Sequence, residues 1–173
     1  FASSLDQIGP MTRTVEDCAA TLQVIAGYDS RDRYSIERGV SDYGKQLKED
    51  IRGLRIGVVR EGVHADFVQP EVRELILTAI DHLASLGAFV EEVSIPLLPY
   101  TAAINRVFIE VEAAPMHREW LETRPEDYDH NVRTDFLTGS VLPAQIYYKA
   151  QRLRQLIRDQ VFHVFRKVDV LVL

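Results

Sequence analysis

Two adjacent serines near the start of the sequence, Ser3 and Ser4, are candidates for nucleophilic attack on a carbonyl carbon. A serine becomes a nucleophile when a base lies within hydrogen-bond reach and donors are placed to hold the developing oxyanion. The neighbouring residues supply neither a base nor an oxyanion hole. We therefore do not expect Ser3 or Ser4 to be catalytic.

A carboxylate follows the serines in the same opening stretch. Asp6 stands three residues before a Gly9-Pro10 turn, where an aspartate can accept backbone N–H bonds and fix the loop. Arg13 is a candidate ionic partner for Asp6. A purely structural turn is the alternative interpretation, and the sequence favours it.

The sequence contains no pattern typical of a metal or cofactor site. No two histidines have the i, i+4 spacing of a helical metal pair, no His-Glu-x-x-His occurs, and Cys18 is the single cysteine. Gly57 and Gly62 do not form the Gly-x-Gly-x-x-Gly dinucleotide fingerprint, and no Walker loop is present. We expect no metal and no cofactor.

Composition narrows the function classes further. The 173 residues carry a net charge of −6, which provides no basic field for phosphates, so direct nucleic-acid binding is not expected. No apolar run approaches the roughly 20 residues of a membrane span, so no membrane association is expected. A single cysteine excludes an internal disulfide and is consistent with a cytoplasmic location.

Apolar periodicity predicts an α/β fold with a mixed, partly parallel sheet flanked by helices. The segment from residue 54 to 93 has the order strand, helix, strand, which implies parallel strands. Pro115 predicts a kink or break in a helix over 101–121, and Gly139 is expected to end a short helix over 132–137. The predicted helices cover 15–26, 70–86, 101–121, 132–137 and 144–166, and the strands cover 54–59, 88–93 and 169–173.

The last of these helices is expected to be the longest and to lie on the sheet. Its basic residues are interpreted as its solvated face, namely Lys149, Arg152, Arg154 and Arg158. Residues 28–50 are polar and charged, and we interpret them as a surface excursion with one possible helical turn.

One long string is more specific than any of these patterns. It is Phe1-Ala2-Ser3-Ser4-Leu5-Asp6-Gln7-Ile8-Gly9-Pro10-Met11-Thr12-Arg13-Thr14. This string resembles the segment just downstream of the nucleophile in the amidase signature family, which cleaves C–N amide bonds with a Ser–Ser–Lys triad. The similarity is sharpest over residues 1–28. It extends more loosely through 53–58, 70–72, 83–88, 147–154 and 168–172, and so covers the whole chain.

The resemblance implies that the catalytic lysine and both catalytic serines lie upstream of Phe1. Residues 1–173 would then be a single fragment of an amidase-signature domain, with both ends internal, inactive alone and without catalytic residues of its own. Ser3, Ser4, Asp6 and Arg13 would shape or support the site. Three residues of the variable helical region could line the acyl-side pocket, namely Phe108, Met116 and Trp120, although core packing is the simpler interpretation.

The resemblance leaves the branch of the family open. In the A subunit of the tRNA-dependent amidotransferase, a glutamine-binding arginine precedes the glycine that matches Gly139, whereas this sequence has Thr134-Asp135 there, with Arg133 just before. An acid would repel a carboxylate, so a stand-alone amidase with a small-molecule amide substrate is favoured. Two alternatives remain: a non-catalytic binding or assembly domain, or the amidotransferase subunit. Open sheet edges make self-association or partner subunits possible.

Overall fold

The structure is a computed structural model that describes residue 2 and residues 4–47 and 50–173. It divides the chain into two compact units. One unit is Gln7–Asp50, and the other combines Phe1–Asp6 with Ile51–Leu173.

The unit Gln7–Asp50 contains two helices, α1 (Val15–Ile25) and α2 (Tyr43–Gln46). The Thr14 side chain accepts a hydrogen bond from the backbone N–H of Asp17 at 3.0 Å, which satisfies a donor at the start of α1. Asp42 caps α2 in the same way, through the N–H of Lys45. The predicted helix over 15–26 and the single helical turn in 28–50 are both confirmed.

A three-stranded parallel sheet lies in the larger unit. Its strands β1 (Arg55–Val59), β2 (Phe89–Val93) and β3 (Val170–Val172) have the spatial order β2-β1-β3. In the register, Ile56 of β1 pairs with Val90 on one side and Val170 on the other. The prediction of a mixed α/β fold with parallel strands is therefore confirmed.

Helices cover both faces of this sheet. Between β1 and β2 run α3 (Arg60–Val63) and α4 (Pro70–Ser85), and Ile80 of α4 packs against Val58 and Val63. Pro70 occupies the first turn of α4, where its missing N–H costs nothing. Gly87 follows with a φ of 98°, a conformation that favours glycine, so the predicted end of this helix is confirmed.

Three long helices complete the unit: α5 (Thr101–Thr123), α6 (His130–Val141) and α7 (Ala144–Val164). Helix α5 continues through Pro115 rather than ending there, and with 23 residues it is longer than the 21-residue α7. Gly139 is buried inside α6 and does not end it, so the predicted boundary at this glycine is wrong.

Helix α7 has two packing partners. Only its carboxyl end lies on the sheet, where Val164 joins Val59, Ile95 and Val168 in one buried cluster. Further back, Ala150 packs against Ile104 and Phe108 of α5 in a second cluster. The prediction that α7 lies on the sheet therefore holds for one end of the helix, because α5 occupies the rest of its apolar stripe.

Candidate functional site

The opening peptide, residues 2–6 without the undescribed residue 3, is held against α5 and α7. The side chain of Ala2 is fully buried, and the carbonyl of Ala2 accepts hydrogen bonds from the N–H groups of Leu5 and Asp6, both at 2.8 Å. Leu5 packs against the cluster of Ile104 and Phe108. The opening peptide is therefore attached by apolar burial, and it also has a polar attachment to α5.

The polar attachment is centred on the Glu112 carboxylate of α5. Its Oε2 accepts the backbone N–H of Ser4 at 2.9 Å, and its Oε1 accepts the Ser4 hydroxyl at 2.7 Å. The hydroxyl of Tyr147 on α7 donates to the same Oε1 at 3.0 Å. Three donors thus converge on one half-buried carboxylate, and hydrogen bonds to an ionised acceptor are stronger than neutral ones.

Arg154 of α7 binds the other side of the same serine. Its Nη2 donates to the Ser4 carbonyl at 3.3 Å, and its Nη1 lies 3.5 Å from the Ser4 hydroxyl oxygen. The guanidinium carbon also stands 5.1 Å from the centre of the Phe108 ring, a cation–π distance. Gln151 supports the cluster from the next turn of α7 by donating to the Tyr147 hydroxyl oxygen at 3.0 Å.

The cluster changes the acidity of two groups in opposite directions. Burial raises the pKa of Glu112, but the hydrogen bonds from Ser4 and Tyr147 and the charge of Arg154 outweigh it, so this pKa lies below its ordinary value. Burial and the adjacent carboxylate raise the pKa of the Tyr147 hydroxyl. At neutral pH, Glu112 is therefore an anion and Tyr147 a neutral donor.

Helical spacing explains how the sequence builds this cluster. Phe108 and Glu112 are four residues apart on α5, while the α7 residues fall at i, i+4 and i+7, which places them on one stripe. These are Tyr147, Gln151 and Arg154. The interpretation of Arg154 as part of a solvated face is wrong, because its guanidinium is half-buried against Ser4 and Phe108.

The apolar part of the cluster borders a small cavity of about 150 Å³. Phe108 forms one wall of it and Arg154 another. The Phe108 ring is 1% exposed and meets the Tyr147 ring edge-on at 5.4 Å between centroids. Phe108 therefore contributes both to the core and to a cavity wall.

A larger groove of about 560 Å³ lies between α5 and α6. It is mostly apolar, with one ion pair at its edge, in which Arg118 Nε donates to Glu122 Oε1 at 3.0 Å. The lining residues are Val111, Ala114, Pro115, Arg118, Leu121, Glu122, Leu137, Gly139 and Ser140.

Two of the contacts that hold α5 and α6 together are a close backbone approach and a set of ion pairs. A Cβ atom on Gly139 would clash with the carbonyl oxygen of Glu110, so only glycine permits the observed approach. Arg106 donates to Glu110 Oε1 and to Asp135 Oδ1, each at 2.5 Å, and so ties the buried Glu110 carboxylate of α5 to α6.

The remaining sequence-predicted site residues are not brought into one place. Met116 is 70% exposed and Trp120 is 47% exposed, and neither lines the groove. Asp6 is exposed and belongs to a different unit from Arg13, so the pairing of these two residues stays a prediction. Ser3 lies outside the described residues. The functional roles assigned to these side chains stay predictions.

Sequence reasoning missed Glu112, the residue at the centre of the cluster. Its signal was a carboxylate one turn after Phe108, on the same helical face. That signal is weak, because nothing in the sequence connects Glu112 to a serine 108 residues earlier.

A metal site needs a group of ligand side chains, and a membrane-spanning segment needs a long apolar helix. Within residues 2, 4–47 and 50–173, no three or more His, Cys, Asp or Glu side chains are grouped so that they could hold a metal ion. No helix in the described part of the chain is long and apolar enough to cross a membrane.

The chain belongs to the amidase family, whose family model matches residues 1–173. It is 38% identical over 169 residues to an amidase from Pseudomonas putida, an alignment that covers 98% of this chain and 36% of that protein. It is 40% identical over 194 residues to the A subunit of glutamyl-tRNA(Gln) amidotransferase from Roseiflexus sp. (strain RS-1), covering 99% of this chain and 40% of that protein.

A solved structure shows the same fold. The A subunit of glutamyl-tRNA(Gln) amidotransferase from Thermotoga maritima superposes with a TM-score of 0.78 at 32% identity, covering 99% of this chain and 37% of that one. The resemblance to the amidase signature family and the fold it implied are thereby confirmed. The chain spans about two fifths of the length of these relatives.

Proposed function

We propose that residues 1–173 are the framework and substrate-groove portion of an amidase-signature hydrolase that cleaves C–N amide bonds. The Ser–Ser–Lys triad would come from residues outside this sequence. The observation that carries the proposal is the seating of the opening peptide on Glu112 and Arg154, because the resemblance implies that this peptide follows the nucleophile. Family membership across residues 1–173 supports the same conclusion.

The proposed reaction needs two things from this part of the protein. In the parent enzyme a serine would attack the amide carbonyl, the amine would leave, and water would hydrolyse the acyl-enzyme. The cluster around Glu112 would hold the chain that leaves the nucleophile loop. The groove between α5 and α6 would receive part of a small-molecule amide, since its walls are largely apolar and Arg118 and Ser140 add polar groups.

The sequence-predicted pocket residues fit this proposal to different degrees. Phe108 lines the small cavity beside Ser4, whereas Met116 and Trp120 lie on the same helix as the groove without lining it. Met116 and Trp120 could therefore contribute to substrate binding only by contacting the amide substrate from the exposed side of α5.

The test compares two lengths of the same gene product. The 173-residue chain and a form extended upstream through the reading frame are purified and assayed on simple aliphatic and aryl amides. We expect hydrolysis by the extended form alone. Activity in the 173-residue chain, or inactivity of the extended form on the whole panel, would refute the proposal. A reading frame that starts at Phe1 would instead favour a non-catalytic assembly domain.

The amidotransferase subunit is the second candidate, because this chain is 40% identical to one such subunit. Asp135, which argued against it, is ion-paired with Arg106, so its charge is partly compensated. This candidate predicts partner subunits, copurification with a second, tRNA-binding subunit, and release of ammonia from glutamine. A protein that purifies alone, hydrolyses simple amides and ignores glutamine would exclude it. A cytoplasmic location is proposed for either candidate.

A further inference from the structure

Ser4 of the opening peptide forms hydrogen bonds with two helices, α5 and α7. Every polar group of this residue has a partner: its N–H and hydroxyl donate to Glu112, and its carbonyl accepts from Arg154. The backbone of one residue is thus held between an anion on α5 and a cation on α7.

Helices α5 and α7 also pack through apolar side chains. Phe108, Ile104 and Ala150 already supply the apolar contact between the helices. Glu112 and Arg154 add a constraint on the position of the Ser4 backbone. Charge-assisted hydrogen bonds form only within a narrow range of distances and angles, so the two side chains together fix where this backbone lies. Tyr147 fixes the Glu112 carboxylate by donating to its Oε1.

We propose that Glu112, Tyr147 and Arg154 are positioning residues that place the chain segment leading away from the nucleophile. This inference rests on the function proposed above. None of the three would touch the reacting atoms. They would act through the backbone of Ser4, because a nucleophile displaced by about 1 Å can lose on the order of 100-fold in rate.

The first experiment substitutes the central carboxylate in the extended, active form of the gene product. Glu112→Gln keeps the shape but replaces one acceptor oxygen by an NH₂ group, which then faces a donor. We expect kcat to fall roughly 10- to 100-fold, with KM changed less than about threefold, because the substrate contacts are untouched. Glu119→Gln is the matched control, since Glu119 is an exposed carboxylate on the same helix.

A second measurement detects the hydrogen bond between the Ser4 amide and Glu112 and does not require catalytic activity. Hydrogen exchange at the Ser4 amide is followed by NMR in the wild-type protein and in both variants. We expect Glu112→Gln to lower the protection of this amide by about tenfold or more, which is the loss of one charge-assisted hydrogen bond. Glu119→Gln should leave the protection unchanged.

Folding controls keep the proposal open to refutation. If circular dichroism shows that Glu112→Gln is unfolded, Tyr147→Phe replaces it, because that variant removes one hydroxyl and keeps the packing against Phe108. It should lower both kcat and the protection of the Ser4 amide by a smaller factor than Glu112→Gln.

The outcomes separate this inference from the proposed function. A folded Glu112→Gln protein with wild-type kcat and wild-type Ser4 protection overturns the positioning role. A fall in kcat equal to that of Glu119→Gln also overturns it. A wild-type extended protein that hydrolyses no amide refutes the proposed function. In that case the exchange data at the Ser4 amide still show whether Glu112 holds the Ser4 backbone.

Discussion

The two sides of α5 are used differently. We call the side that faces α7 and the opening peptide the closed side, because Phe108 is 1% exposed, Glu112 accepts hydrogen bonds from Ser4 and Tyr147, and the cavity there measures only about 150 Å³. The side that faces α6 is held together at Gly139 and Arg106 but leaves a groove of about 560 Å³ between these contacts and the solvent.

This difference separates a region held by contacts within the chain from a groove that those contacts leave unfilled. On the closed side, polar groups are satisfied within the chain, so they can position a neighbour but have little capacity left for a ligand. On the open side, apolar walls and an exposed ion pair have room for another molecule. One helix can therefore hold the opening peptide on one side and leave an open groove on the other.

The largest expected effect tests the closed side. Phe108→Ala removes a fully buried ring from the cluster with Ile104 and Ala150, so we expect a loss of about 3–5 kcal/mol in unfolding free energy. The measurement is urea unfolding monitored by circular dichroism. Met116→Ala is the control on the exposed side and should change the value by less than about 0.5 kcal/mol. Equal effects would show that the two sides are not different.

The next effect tests the contact between α5 and α6. Gly139→Ala places a methyl group against the Glu110 carbonyl, and backbone atoms cannot move aside as a flexible side chain can. We expect a loss of about 3 kcal/mol, at the upper end of typical overpacking costs, in the same unfolding experiment. Ser140→Ala, at the neighbouring exposed position, should be much milder. A stable Gly139→Ala protein would mean that the helices lie further apart in solution.

A smaller effect is expected from the ionic tie beside the groove. Arg106→Met leaves the buried Glu110 carboxylate without its cation, but Arg106 itself is two-thirds exposed, so we expect a loss of unfolding free energy smaller than that of Gly139→Ala and larger than that of Arg118→Met. Arg118→Met serves as the comparison, because its partner Glu122 is also exposed and the pair should contribute about 0.5 kcal/mol or less. Equal losses would remove the special role of the buried carboxylate.

The smallest effect concerns pH and the Glu112 cluster, which faces Ser4, Tyr147 and Arg154. The folded-state pKa of Glu112 is lowered, so its stabilising contribution is complete above the unfolded value of about 4.3 and is lost as pH falls through the folded value. The difference in unfolding free energy between wild type and Glu112→Gln should therefore shrink between pH 7 and pH 3. A difference independent of pH would contradict the charged role of Glu112.

Local signals in the sequence predicted much of the fold. Thr14 at the start of α1, Pro70 at the start of α4 and Gly87 after it act through their own backbone neighbours, so their effect can be seen without the tertiary structure. The helix end predicted at Gly139 is wrong, and α5 does not break at Pro115, while a kink at Pro115 stays a prediction. Both residues lie inside helices, and at Gly139 the close packing against Glu110 of α5 outweighs the local preference of glycine.

The candidate site also has one part that could be predicted from consecutive residues and one part that depends on the tertiary structure. The opening string and its resemblance to amidases are properties of consecutive residues, and they were sufficient to predict the family. The partners of Ser4 were not predictable, because Glu112 and Arg154 lie 108 and 150 residues away in the sequence. Only folding brings their two helices to the opening peptide. The hydrogen bonds of Glu112 and Arg154 to Ser4 are then partly buried, and burial strengthens them relative to the same contacts in water.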